Sequence, residues 1–134
     1  MAENTAPHKG SILLVEDDEF LRSLVVRALG EVGYETEVAK DGEDALAHIA
    51  RQMPDLILLD LVLPGFSGFE LIAKLRQNDA TAKIPFIVLS NSAESQSKKQ
   101  ATDLGAAGYL VKAQSTPSDI AKAAEAYFAV HPAP

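Results

Sequence analysis

The chain has 134 residues, 47% of them hydrophobic, which suits one domain with a real core and excludes general disorder. Cysteine is absent, so neither a disulfide scaffold nor a thiolate metal site is possible. Twelve Lys and Arg against nineteen Asp and Glu give a net charge of -7, a poor basis for sequence-independent nucleic-acid binding.

Residues 1–10 are polar and lack the apolar stretch of a signal peptide, so they are expected as a flexible tail. No apolar run approaches the roughly 20 residues of a bilayer span. The expectation is a cytoplasmic protein without a membrane partner, with one domain over residues 11–130 and a short tail at 131–134.

Ile12-Leu13-Leu14-Val15 is the first apolar run. Leu21, Leu24, Val25, Ala28, Leu29 and Val32 follow at helical spacing, with Gly33 as a stop. Glu35-Thr36-Glu37-Val38-Ala39 is more polar and suits an edge strand. Asp41 is placed to cap a second helix carrying Leu46 and Ile49, ending before Pro54. Leu56-Ile57-Leu58-Leu59 is the next run, and Ser67-Gly68-Phe69-Glu70 matches a capping box opening a helix through Leu71, Ile72 and Leu75. Phe86-Ile87-Val88-Leu89 precedes a helix expected from about Glu94 to Leu104. The basic pair Lys98-Lys99 reads as a solvated face of that helix. Tyr109-Leu110-Val111 is the last run. Thr116 then caps a helix with Pro117 at its first position and an inner face of Ile120, Ala123, Ala124 and Tyr127.

Continuous apolar runs of this length suit strands buried on both faces, as in a parallel sheet. Five strand-helix units with right-handed crossovers predict an α/β, flavodoxin-like doubly wound fold, strand order 2-1-3-4-5. Ligands in such sheets bind beyond the carboxyl ends of the strands. Glu16-Asp17-Asp18, Asp60, Ser90 and Lys112 all close buried runs at that edge. Singly, each is an ordinary turn or cap residue. Together they gather carboxylates, a hydroxyl and an ammonium around one spot, and the repulsion among the acids calls for a hard divalent cation such as Mg²⁺. With that charge neutralised, Asp60 can act as a nucleophile toward a phosphoryl group, with Lys112 and Ser90 beside it.

The acids in I-L-L-V-E-D-D, the aspartate in P-D-L-I-L-L-D, the hydroxyl in I-P-F-I-V-L-S and the lysine in G-A-A-G-Y-L-V-K resemble those of two-component response-regulator receiver domains. The resemblance runs from about Ser11 to Val130. It implies that Glu16 and Asp17 bind Mg²⁺ or Mn²⁺ together with Asp60 and the backbone carbonyl of Val62. It makes Asp60 the phosphoacceptor, Ser90 the switch hydroxyl, Lys112 the phosphate-pairing lysine and Tyr109 the switch aromatic. Asp18 is read as a helix cap rather than a ligand. The implied donor is a phosphohistidine on a histidine kinase or histidine phosphotransfer domain. The implied output is a helix 4–strand 5–helix 5 face binding a downstream protein that the sequence does not name. The protein is thus expected to be a single-domain switch rather than an enzyme, since little chain follows the fifth helix.

Three positions depart from the family pattern. Asn91 replaces the usual small residue after the hydroxyl, with access to Asp60 or contact with the phosphoryl group at stake. Ala113 replaces the usual proline after Lys112, and its peptide is expected to be trans because a non-proline cis bond costs about 2.5–4 kcal/mol. Val62 offers no polar group to an attacking water, which predicts slow self-dephosphorylation. Asn91 and Ala113 keep open an alternative, a receiver-fold interaction module independent of phosphorylation. A dehalogenase-type phosphatase would need a proton-transferring acid where Val62 stands. A flavodoxin would need a hydroxyl-rich loop where Glu16-Asp17-Asp18 stands, and Gly65-Phe66-Ser67-Gly68-Phe69 lacks the second glycine of a hydrolase elbow. The scattered His8, His48 and His131 do not suggest a histidine metal site.

Overall fold

The computed structural model describes residues 10–91 and 95–133. Most of the expected N-terminal tail, the expected start of the fourth helix at Glu94, and Pro134 lie outside them.

Five strands, β1 (Ser11–Val15), β2 (Glu35–Ala39), β3 (Leu56–Asp60), β4 (Phe86–Ser90) and β5 (Gly108–Val111), alternate with five helices. These are α1 (Glu19–Glu31), α2 (Gly42–Arg51), α3 (Gly68–Arg76), α4 (Ser95–Asp103) and α5 (Pro117–Val130). The sheet is parallel in the order β2-β1-β3-β4-β5, the doubly wound arrangement the alternating pattern predicts. The polar β2 and the short β5 form its edges.

Strand alternation divides the core. Leu13, Val15, Ile57, Leu59, Phe86 and Val88 face α2, α3 and α4, while Ile12, Leu14, Leu56, Leu58, Ile87 and Leu89 face α1 and α5. Burial on both faces explains why β1, β3 and β4 are nearly uninterrupted apolar runs. Each fully buried Leu or Ile contributes about 1.5–3 kcal/mol relative to exposure.

Helix starts follow the capping chemistry. Asp18, Asp41, Ser67 and Thr116 each accept a hydrogen bond from the backbone N–H three residues on, and Ser67–Glu70 and Thr116–Asp119 form complete capping boxes. Gly33, with φ of 97°, turns the chain after α1.

Three expectations need correction. The inner face of α5 is broader than expected: Ile120, Ala121, Ala124 and Phe128 are buried, and the anticipated Ala123 and Tyr127 pack against the same core half-buried. The Phe128 ring stacks on Tyr34 at 5.1 Å, which draws that side of the helix inward. Leu24 of α1 is exposed, because Val25 and Leu29 take the inward positions against α5. Leu104 falls in the turn after α4 rather than within the helix.

Candidate functional site

Register builds the site. Val15 pairs with Leu59, so Glu16 and Asp60 lie side by side just past β1 and at the end of β3. Asp60 pairs with Leu89, and Leu89 with Leu110, which completes that row across the sheet. Ser90 and Val111 form the next row, and Lys112 lies one residue beyond. At about 3.3 Å per residue, Lys112 starts roughly 7 Å above Asp60 and reaches back along its four-carbon stem. Its Nζ stands 2.9 Å from Asp60 Oδ2 and 2.7 Å from Glu16 Oε1.

The charges are well withdrawn from solvent. Glu16 is 0% and Asp60 5% exposed. Glu16 Oε2 accepts the Asp18 N–H at 3.0 Å, and Asp60 Oδ1 accepts the Val62 N–H at 3.1 Å. Burial pushes the Glu16 carboxyl above its ordinary 4.5; Lys112 and the Asp18 N–H oppose this, and the Asp60 charge adds to it. Burial alone would lower the Lys112 ammonium below 10.5, but hydrogen bonding and attraction from Glu16 and Asp60 outweigh it and raise the value.

Asp17 is exposed at the mouth of this cluster. Ligand oxygens of Glu16, Asp17 and Asp60 lie within 4.8 Å of one another. Glu16 Oε1 is buried without an aligned hydrogen bond, although it contacts Lys112 as an ion pair. An all-oxygen set with this excess of negative charge fits a hard divalent cation, Mg²⁺ or Mn²⁺.

The other anticipated residues occupy the same end of the sheet in different settings. Ser90 is 3% exposed at the tip of β4. Tyr109 is half-buried, with Lys98 Nζ 5.9 Å from its ring centroid. Strand alternation gives these two the parity of the α2–α3–α4 side, opposite to Asp60. The Val62 side chain is 79% exposed, and Asn91 is exposed at the end of β4. Ala113 lies in a single 3₁₀ turn, Lys112–Gln114, and its peptide bond to Lys112 is trans. Asp18 caps α1, accepting from Leu21 N at 3.1 Å.

Two contributors have no clear mark in the sequence. Gly68, the first residue of α3, lies so close to β3 that a Cβ there would meet the Asp60 carbonyl and stand 2.9 Å from Leu61 Cα. Its glycine could have been noticed inside the capping box, but not the neighbour it must avoid. Arg22 donates from Nη1 to the Glu16 carbonyl at 2.9 Å and the Asp17 carbonyl at 3.3 Å. A side chain reaching backbone acceptors has no spacing signature to find.

A separate cavity of about 130 Å³ opens at the amino ends of β1 and β2, lined in part by Ser11, Glu35, Glu37, His48 and Arg51. Its charges are of mixed sign, with His48 Nδ1 3.5 Å from Glu37 and 3.1 Å from Arg51. The convergent chemistry is at the other end of the sheet.

Known proteins resemble this chain in sequence and in fold. The phosphate regulon transcriptional regulatory protein PhoB of Pseudomonas aeruginosa is 40% identical over 102 residues, 76% of this chain and 44% of that protein. The chain thus spans less than half the length of that relative. Among solved structures, the Mn²⁺-bound form of response regulator Rcp1 aligns with a TM-score of 0.75 and 30% identity, covering 89% of this chain and 92% of that one. The phosphorylated cyanobacterial phytochrome response regulator RcpA aligns at 0.74 and 30%, covering 91% and 92%. The family model of the response regulator receiver domain matches residues 12–125, and the chain belongs to that family.

Proposed function

We propose that Asp60 accepts a phosphoryl group from a phosphohistidine on a histidine kinase or histidine phosphotransfer domain, with Mg²⁺ or Mn²⁺ held by Glu16, Asp17, Asp60 and the Val62 carbonyl. The observation that carries this reading is the buried Asp60 carboxylate held by Lys112 at 2.9 Å beside Glu16 and Asp17. Isolated buried carboxylates are costly, and this arrangement of acids and one lysine is what phosphoryl transfer to an aspartate needs.

In the transfer, an Asp60 oxygen attacks phosphorus and the phosphorus–nitrogen bond to imidazole breaks. The imidazole leaves with the bonding pair and takes up a proton, and an acyl phosphate remains on Asp60. A bound cation would offset negative charge on the oxygens of the transferring group. Lys112 exchanges its contact with Asp60 for one with a phosphoryl oxygen, and Ser90 donates its hydroxyl to another. Tyr109 responds beside Ser90, and the face built from α4, β5 and α5 changes its affinity for a downstream protein. The protein acts as a switch, turning over at most its own phosphoryl group. The donor class implies a cytoplasmic setting. Moving such a switch from 1:99 to 99:1 takes roughly 5.5 kcal/mol of differential stabilisation.

The test is intact-mass analysis after incubation with acetyl phosphate and Mg²⁺. The wild type gains one phosphoryl group and Asp60→Asn gains none. No gain with acetyl phosphate or with a cognate kinase would replace this reading with a phosphorylation-independent interaction module.

A further inference from the structure

We infer that Arg22 is a positioning residue for the cation site, acting through the backbone of Glu16 and Asp17 rather than through their carboxylates. The inference rests on the metal reading above. The two carbonyls that Arg22 Nη1 reaches, at 2.9 and 3.3 Å, lie just past Val15, the last residue of β1 paired with its neighbours. Beyond that point the strand ladder no longer orients these peptides. Nη1 carries two protons, one for each carbonyl.

The rest of the loop is tethered to β2 and to itself. Glu16 N–H donates to the Ala39 carbonyl at 2.9 Å, Asp18 N–H to Glu16 Oε2 at 3.0 Å, and Arg22 N–H to the Asp18 carbonyl at 2.9 Å. Arg22 is half-buried, so its guanidinium is held against the loop rather than swinging in solvent. It draws the carbonyls of residues 16 and 17 toward α1. The orientation of those two peptides then sets where the Glu16 and Asp17 side chains leave the backbone, and their oxygens meet Asp60 within 4.8 Å.

The sign of the effect on metal affinity separates positioning from simple electrostatics. Arg22 is a cation beside a cluster that takes up a cation. On charge alone, removing it tightens Mg²⁺ binding. If it orders the ligands, removing it weakens binding, as outer partners of metal ligands commonly do.

The experiment measures Mg²⁺ and Mn²⁺ affinity by calorimetry, and exchange of the Asp18 amide by NMR in metal-free protein. Arg22→Met is expected to weaken Mg²⁺ binding roughly tenfold and to speed Asp18 exchange. Arg22→Lys, which restores a charged donor, recovers part of both. Unchanged or tighter Mg²⁺ binding by Arg22→Met, with Asp18 protection intact, overturns the inference. If the wild type binds neither ion, the metal reading fails instead, and Asp18 exchange alone decides whether Arg22 orders the loop. Should Arg22→Met not fold, Arg22→Gln is read by the same two outcomes.

Discussion

Lys112 and Glu16 face each other at 2.7 Å beyond the carboxyl ends of β5 and β1, edge strand and inner strand of one sheet, with side chains 13% and 1% exposed. The lysine that would meet a phosphoryl group is therefore committed as closely to Glu16 as to Asp60. This shared pairing gives the first prediction. Lys112→Met leaves the buried Glu16 and Asp60 carboxylates without their shared ion-pair partner. It is expected to cost about 3–5 kcal/mol of metal-free stability at neutral pH. Because a competing cation has gone, Mg²⁺ binds more tightly and restores part of the loss. Urea denaturation with and without Mg²⁺ measures both effects; equal loss with and without the ion would contradict the shared-cation picture.

The second prediction concerns pH. Burial raises the Glu16 pKa above 4.5 in the folded state. Its contribution to stability is therefore present below that ordinary value and is lost as pH rises through the raised one. At neutral pH the ionised Glu16 opposes folding, and a bound cation offsets that cost. Protons and a bound cation would compete for this carboxylate, so Mg²⁺ affinity is expected to fall as pH drops from neutral through the raised Glu16 value. Calorimetric titrations across that range should show the fall, and Glu16→Gln should bind weakly with a flatter profile. Lys112 has the opposite ionised form and a raised pKa. Its stabilisation is present below 10.5 and is lost as pH climbs through the raised value.

A third prediction follows from the exposed side chain of Val62, two residues after Asp60. It has no group to orient or deprotonate a water. Phosphoryl loss should be slow, and Val62→Gln should speed it roughly tenfold, less than the ~100-fold or more of a well-placed general base. Phosphate release from the acyl-phosphate form, after acetyl phosphate is removed, provides the rate. A wild-type lifetime no longer than that of the Gln variant would dismiss this role for Val62.

The fourth prediction concerns Gly68. A methyl group there meets the Asp60 carbonyl and Leu61 Cα, neither of which is a flexible side-chain end. Gly68→Ala is expected to cost about 1–3 kcal/mol through overpacking and to slow phosphorylation by acetyl phosphate by displacing Asp60. Denaturation midpoints and phosphorylation rates, measured on the same variant, check both parts. A variant of wild-type stability and rate would show that α3 moves away from β3 without consequence.

Much of this protein was legible in its sequence. Strands buried on both faces must be apolar throughout, so Leu56–Leu59 and Phe86–Leu89 declared themselves, and the polar residue ending each run marked one edge of the sheet. Helix starts need side-chain acceptors for free N–H groups, so Asp18, Asp41, Ser67 and Thr116 stood out. Asp60 could be chosen as the central acid because parallel topology gathers strand ends at one place.

Only the tertiary structure decided the rest. Periodicity marks an apolar stripe but leaves its width uncertain by a neighbouring position, so the burial of Ala121 and Phe128 in α5 depended on Tyr34 stacking from beyond α1. The sharing of Lys112 between Glu16 and Asp60 depended on register across four strands and on the length of a flexible stem. Arg22 and Gly68 act on backbone atoms, which are alike in every residue. No residue pattern announces such contacts, because their partners are fixed by distance in the folded chain and not by side-chain type.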